Sequence, residues 1–234
     1  MIESKDNSRF RNWMKLKLKK YRDEQDLFLV YGPKLVNLAI DRGYAVEVLT
    51  SNPNVQGTLL SQKLMDELSL TETTFDLVAV CKKMSRKIST KNILVLEDIQ
   101  NPDNVGALIR SAVAFGFNHV VLSLKSADLY NEKTIRASGG ALFDCFVERL
   151  DIIEFIKEKK LENFQVFGAD AHQTSKKPQN DQPLILVLGN EGRGLSDEVK
   201  NHVDGLIQIK TNDVESLNVV VAGSILMYEW KNVL

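Results

Sequence analysis

In the stretch NPDNVGALIRSAVAFG, Asn101 to Gly116, one arginine stands inside an apolar helical pattern. Arg110 is the only charged residue between Asp103 and His119. On a helix it lies about 140° around from Val105, away from the stripe Val105, Leu108, Ile109, Ala112 and Phe115. An arginine so placed can face a site, although an exposed or capping arginine has the same spacing. The strings GNEGRG and TNDVESLN hold further candidates. Gly189, Gly192 and Gly194 let a backbone approach a ligand closely, or simply turn before a helix at Ser196. Asn104 and Asn218 offer amide donors and acceptors that position polar groups without adding charge. Glu191 can hold an arginine through paired hydrogen bonds, or be a surface carboxylate. Ser216, His202 and Asp213 have the composition of a hydrolase triad, but no GxSxG elbow accompanies them. GxxxxGK[ST] is absent and no GxGxxG follows the first strand of either half, which disfavours a P-loop or the usual dinucleotide fold.

These residues need strand ends to hold them, and the pattern supplies several. After a front helical segment, RFRNWMKLKLKKYR, come DLFLVYG as strand and PKLVNLAIDRG as helix, with Pro33 in its first turn and Gly43 past its end. AVEVLTS, SQKLMDELS and FDLVAVC continue as strand, helix and strand. The polar stretch Lys82 to Lys91 reads as a linker, giving domains at 1–86 and 87–234. Beyond it NILVLEDI is a strand, Asn101 to Gly116 a loop and helix, and HVVLSL a strand. TIRASGGA is a helix and turn, IIEFIKEKK a helix, FQVFGAD a strand. PLILVLGNEGRG is an apolar strand entering a glycine turn, LIQI a short strand, and LNVVVAGSILMYEW a helix. Strands alternating with helices imply an α/β fold, a small N-terminal α/β domain followed by a domain with a mostly parallel sheet. In such sheets ligands sit beyond the carboxyl ends of strands, where all three unusual strings fall.

A chain of 234 residues with 44% apolar content can bury a substantial core. No run has the length of a membrane span and the polar start lacks a signal peptide's apolar stretch, so a cytoplasmic protein is expected. Cys81 and Cys145 lie in apolar runs and read as buried thiols. Three histidines without ligand spacing imply no metal. Net charge is -1, but residues 1–90 carry 15 Lys+Arg against 11 Asp+Glu and residues 91–234 carry 15 against 20. Most of the basic excess lies in residues 1–22. There Phe10, Met14, Leu18 and Tyr21 recur at helical spacing, as do Arg11, Lys15, Lys19 and Arg22. This predicts one helix with an apolar and a basic stripe, the latter facing RNA or merely solvent.

Taken in order, LEDIQNPDNVGALIRSAVAFG, LILVLGNEGRGLS and ESLNVVVAGSILMYE strongly resemble the three motifs of the SpoU family of RNA ribose 2'-O-methyltransferases. RASGGA, Arg136 to Ala141, is similar to that family's Ser-Gly-Ala turn. The front half, on KLKKYRDEQDLFLVYGPKLVNLAIDRG, resembles the RNA-binding substrate domain often joined to it, with Tyr31 where a glutamate is usual. The resemblance implies a C-terminal trefoil knot, an exception to the rule that chains avoid knots. It also implies an S-adenosylmethionine pocket at Leu188, Gly189, Asn190, Gly192, Gly194, Gln208, Ile209 and Leu217, and a homodimer pairing close to it. Arg110 becomes the catalytic arginine, with Asn104, Glu191, Ser216 and Asn218 around the chemistry. The third motif departs from the family at Ile209 and Asn212, which stand for a proline and a glycine, and at Val220, which stands for a serine. Asn212, tolerant of positive φ, is expected to fill the glycine's place. The substrate implied is structured RNA, ribosomal rather than transfer RNA because of the front domain. A non-catalytic RNA-binding or ribosome-assembly protein is the other class, which the intact Arg110 and Glu191 argue against.

Overall fold

The computed structural model describes residues 1–69, 75–84, 87–173, 178 and 182–231. Its first part comprises α1 (Ser8–Lys15), α2 (Lys19–Gln25), β1 (Leu27–Tyr31), α3 (Pro33–Asp41), β2 (Ala45–Thr50), β3 (Thr58–Leu59), α4 (Gln62–Leu68) and β4 (Leu77–Lys82). These strands form a sheet in the order β1-β4-β2-β3. Strand β4 runs antiparallel to both β1 and β2, while β3 lies parallel to β2.

The second part comprises β5 (Asn92–Leu96), α5 (Pro102–Ala114), β6 (His119–Leu122), α6 (Glu132–Ser138), a 3-10 turn (Ala141–Asp144), β7 (Phe146–Arg149), α7 (Ile152–Leu161), β8 (Gln165–Ala169), β9 (Leu184–Leu188), α8 (Asp197–His202), β10 (Gly205–Ile207) and α9 (Val219–Lys231). Its sheet has the order β10-β8-β9-β5-β6-β7, and every pairing is parallel. The central strands β5 and β9 are buried along their whole length. Alternate side chains serve opposite layers, as the period of two demands. Leu94, Leu96, Leu186 and Leu188 join Leu108, Ile109 and Ala112 of α5 and Leu226 and Met227 of α9. Ile93, Val95, Ile185 and Val187 instead meet Phe155 and Ile156 of α7 and Val199 of α8.

Local signals bound the helices. Asn101 caps α5 by accepting from the Asp103 N–H at 2.9 Å, with Pro102 in the first turn. Asp151 caps α7 in the same way, and Gly43, past the end of α3, has φ of +74°.

The single front helix expected from Phe10 to Tyr21 is two helices, because Leu18 is extended (φ -100°, ψ 131°) and starts a new one. The apolar stripe shifts accordingly. Phe10, Trp13 and Leu16 are buried, whereas Leu18 is 60% exposed. Tyr31 is buried, its hydroxyl donating to the Leu68 carbonyl at 3.2 Å. Strand β3 has no counterpart in the sequence reading, and β7 follows the apolar run that holds Cys145.

One apolar cluster runs through both parts. Phe28, Val36, Ala39 and Cys81 of the first share it with Val105, Ile135, Leu142 and Phe143 of the second. Phe28 packs on Tyr130 at 4.6 Å between ring centroids, and Tyr44 stacks on Phe143 at 5.6 Å. Cys81 and Cys145 are free and buried, and burial pushes both thiols up to about 12. Among the described residues no helix is long and apolar enough to cross a membrane.

Candidate active site

The candidate residues gather where β5 and β9, neighbours in the sheet, release their chains at the carboxyl edge. Strand β5 leads through Asp98 into α5, and β9 leads into the glycine turn. Asp98 has φ of +53°, a conformation that costs a non-glycine residue about 1 kcal/mol or more. Four hydrogen bonds hold it there. Its N–H donates to Ser123 Oγ at 2.9 Å, Ser123 Oγ donates to its carboxylate at 2.8 Å, and its carbonyl accepts from Asn190 Nδ2 at 2.8 Å and from Gln100 Nε2 at 3.3 Å. Asn190 Oδ1 also accepts from the N–H groups of Gly192 and Arg193. The two loops are thus one hydrogen-bonded body.

Glu191 completes the junction. Its carboxylate accepts from the N–H groups of Gln100 and Asn101, both at 3.2 Å, and from Asn104 Nδ2 at 3.0 Å. Partial burial pushes this carboxyl up, but the bonds from Asn104, from its own backbone, and from Asn101 and Gln100 outweigh that and hold it below the usual range. Among the described residues, no arginine is a hydrogen-bonding or ion-pair partner of Glu191. A carboxylate at the start of α5 already meets unpaired N–H groups and the positive end of the helix dipole, so it needs no guanidinium.

Arg110 lies further along α5, where Val105, Leu108, Ile109 and Ala112 are buried and Arg110 itself is exposed. Among the described residues it has no ion pair or hydrogen bond. Its side chain lies over the turn after α6, so that a Cβ added to Gly139 would sit 3.5 Å from Nη1. Helices α5 and α6 approach closely because Gly106 has no side chain; a Cβ there would fall 2.3 Å from the Thr134 carbonyl.

In the glycine turn, a Cβ on Gly189 would lie 2.3 Å from Gly194 C and 2.4 Å from Leu195 N, so the loop closes backbone on backbone. Gly194 takes φ of +67°. Gln208, just past β10, donates from Nε2 to the Ala171 carbonyl at 2.6 Å. That bond joins the end of β10 to the loop after β8, a contribution the sequence reading missed because only sheet order reveals it. Ile209 packs against the main core, as does Val220. The left-handed residue in the third motif is Asp213, with φ of +58°, and not Asn212. Aspartate shares asparagine's tolerance of that region, so spacing could not choose between them. Leu217 is half-buried, Ser216 and Asn218 are exposed, and Asn218 Oδ1 accepts from the Val220 N–H at 2.8 Å at the start of α9. Helix α9 returns to α5, where Ser224 and Ser111 hydroxyls meet at 2.8 Å, and Gly223 lies against Leu188 and Leu108. No hydrogen bond among the described residues joins Ser216 or Asn218 to Arg110, or Ser216 to His202, whose Nδ1 engages the Glu198 carbonyl.

The basic stripe of the front segment divides. Arg11 donates to the Asp6 carbonyl at 2.8 Å, Lys15 lies 5.6 Å from the Tyr21 ring, and Lys19 pairs with Asp23 at 2.5 Å, all exposed. Arg22 does not belong with them. It is 6% exposed, pairs with Asp128 at 2.5 Å and donates to the carbonyls of Leu16 and Lys17 at 2.8 Å. The break between α1 and α2 turns it inward and leaves those carbonyls for it to satisfy. Among the described residues no group of His, Cys, Asp and Glu could hold a metal ion.

Comparison with known proteins matches two segments of the chain. Residues 91–228 match the SpoU rRNA Methylase family, and residues 7–94 match an MRM3-like substrate binding domain. A relative from Bacillus subtilis, the 23S rRNA (guanosine(2553)-2'-O)-methyltransferase RlmP, is 32% identical over 242 residues, covering 97% of each chain. An uncharacterized tRNA/rRNA methyltransferase of Borreliella burgdorferi is 29% identical over 80% of this chain and 83% of its own. Among solved structures, the SpoU methyltransferase AviRb from Streptomyces viridochromogenes in complex with AdoMet superposes with a TM-score of 0.82, at 25% identity over 97% of both chains. An rRNA methyltransferase from Sinorhizobium meliloti shares the fold at a TM-score of 0.88, with 23% identity over 99% of this chain and 96% of its own.

Proposed function

The chain belongs to the SpoU rRNA methylase family, and on that premise we propose that it transfers a methyl group from S-adenosylmethionine to a ribose 2'-hydroxyl of ribosomal RNA in the cytoplasm. The observation that carries this reading is the Glu191–Asn104 junction, which fuses the glycine turn to the start of α5 and leaves Arg110 exposed on the same helix. Residues 1–86 form the substrate domain and 87–234 the catalytic one.

The strand ends fit the cofactor. Gly189 has no room for a Cβ, and adjacent strands β8, β9 and β10 bring backbone groups of Ala171, Leu188 to Gly194 and Gln208 to one edge. Together with Ile209 and Leu217 these would hold S-adenosylmethionine largely through main-chain contacts. The segment from Gln208 to Asn218, running from edge strand β10 to α9, would thread beneath the glycine turn and make the trefoil knot.

When bound, the cofactor supplies an electrophilic methyl on a sulfonium. The chain's task is to place a weak nucleophile in line with it and to stabilise the oxygen as its proton leaves. Arg110 can donate to the RNA phosphate and the 2'-oxygen together, lowering the hydroxyl's pKa electrostatically. The phosphate or a water takes the proton. A guanidinium is the most basic of side chains, so a role as the base itself would ask one residue to give up its proton near neutral pH, a far larger demand than donating hydrogen bonds. Asn104, fixed by Glu191, and Asn218 and Ser216 ahead of α9 line the approach to ribose.

Labelled S-adenosylmethionine, purified chain and RNA stripped of modification test the proposal. Methyl transfer to ribosomal RNA, mapped to one ribose and unaffected by EDTA, is expected. Transfer only to transfer RNA would change the substrate, none to any RNA would leave a binding protein, and loss in chelator would refute metal independence.

Arg11, Lys15 and Lys19 are exposed cations of the arm. Replacing all three by Ala should weaken RNA binding and flatten its salt dependence, because fewer counterions are released, with cofactor affinity unchanged. An unaltered salt slope would make them solvated side chains only.

A homodimer forms on α9, whose Val221 and Tyr228 stay exposed beside the cofactor loops. Light scattering at micromolar concentration should give twice the 26.4 kDa chain mass. An active monomer would refute it.

A further inference from the structure

The turn Ser138-Gly139-Gly140 is a thin wall with different neighbours on its two sides. On one side Gly139, φ +60°, faces Arg110, whose Nη1, Cδ and Cζ would lie 3.5 to 3.6 Å from an added Cβ. On the other side Gly140, φ +97°, faces α3 of the substrate domain. A Cβ there would fall 2.5 Å from Leu38 Cδ1 and 3.5 Å from Leu35 Cδ2. Both glycines adopt backbone that side chains rarely take; Leu38 presses directly on Gly140, while the Arg110 side chain lies across Gly139 with only a methyl's breadth between, so the turn stands between Leu38 and Arg110. The turn is fixed at both ends. Upstream, Thr134 donates to the Asp128 carbonyl, and Asp128 holds Arg22. Downstream, Arg42 at the end of α3 pairs with Asp144 at 2.7 Å.

We propose that Leu38 is a positioning residue for Arg110, acting through the Gly139-Gly140 turn, so that the substrate domain sets the place of the arginine as well as gripping RNA. This rests on the methyltransferase reading above. Among the described residues no carboxylate orients Arg110, so its rotamer depends on what it packs against. The turn supplies that surface, and the turn is backed by Leu38. Truncating Leu38 removes the backing without touching a group that meets RNA or cofactor. A displacement of about 1 Å at a reacting centre can cost up to about a hundredfold in rate.

The test compares Leu38→Ala, Leu38→Val, Leu38→Met and, as a control on the same helix, Ile40→Ala, which alters an exposed side chain. Methyl transfer, RNA affinity, cofactor affinity and the Arg110 Nε–H resonance, assigned by its loss in Arg110→Ala, are read for each. Leu38→Ala should lower kcat by roughly tenfold or more with both affinities unchanged, and should shift or broaden the Arg110 resonance. Leu38→Met, which restores the bulk, should recover most of the rate, and Ile40→Ala should match wild type. If Leu38→Ala does not fold, Leu38→Val should show a smaller fall of the same kind. An unmoved Arg110 resonance, or a loss expressed in RNA affinity alone, overturns the proposal. A wild type without methyl transfer would instead overturn the family activity, while the resonance would still decide whether Leu38 places Arg110.

Discussion

Arg110→Ala should abolish most methyl transfer while leaving the fold and cofactor binding nearly intact. Arg110 is exposed and contributes nothing to the core, where its helix is held by Val105, Leu108, Ile109 and Ala112, so its loss should cost little stability. If it stabilises the oxygen as charge develops, removing a single donor costs roughly a hundred- to a thousandfold in kcat. Arg110→Lys separates two roles. Lysine keeps the charge and, with a solution pKa of about 10.4, deprotonates more easily, but it lacks the planar fork that can reach a phosphate and an oxygen together. A clamp therefore predicts that lysine fails almost as badly as alanine. A lysine variant that stayed active, with a rate rising through a new titratable pKa, would identify Arg110 as the proton acceptor instead.

The second large effect is on stability. Arg22→Met should destabilise the chain by about 3 kcal/mol, because it strips the buried partner from a half-buried Asp128 and leaves the Leu16 and Lys17 carbonyls without their donor. Asp128→Asn in the same chain should recover part of the loss, since the amide oxygen can still accept from the Tyr130 N–H, as the carboxylate does at 3.2 Å. Chemical denaturation of the two variants and wild type measures this. A cost below about 1 kcal/mol, the ordinary value for a surface pair, would mean that the pair is solvated. At equal folded fraction, RNA affinity should hold in Arg22→Met and fall in the triple Arg11, Lys15, Lys19 variant. That contrast separates the inward arginine from the outward cations.

The catalytic half was legible because its signals are local. Unbroken apolar runs marked β5 and β9, the apolar period after Asn104 marked α5, and the glycine turn follows its strand directly. The front segment was not legible for a physical reason. Its residues satisfy a helical period over the whole stretch, and what breaks the period at Leu18 is packing of Phe10, Trp13 and Leu16 into a core with Leu49, Leu60 and Leu64. Arg22 reads as one more surface cation until its partner is known, and Asp128 is remote in sequence. Glu191 stands out in the sequence, but beside the Asn104 amide its partners are backbone N–H groups of another loop, which side-chain chemistry alone does not reveal. Strand β7 shows in the sequence only as the strand-like run around Cys145, because its four residues, Phe146–Arg149, are all half-buried and show no alternation.

The strand order carries a kinetic consequence. Strand β5 sits at the middle of its sheet and finds β6 soon after, but its other edge pairs Asn92 through Leu96 with Leu184 through Leu188, roughly ninety residues later. On a ribosome adding about 5–20 residues per second, that edge waits on the order of five to twenty seconds for its neighbour. Through that interval the NILVL segment presents one row of unpaired backbone groups, the kind of edge through which nascent chains associate with one another. Refolding of the whole chain should accordingly be slow for its size, since loop closure across that span precedes any reward from the central pairing.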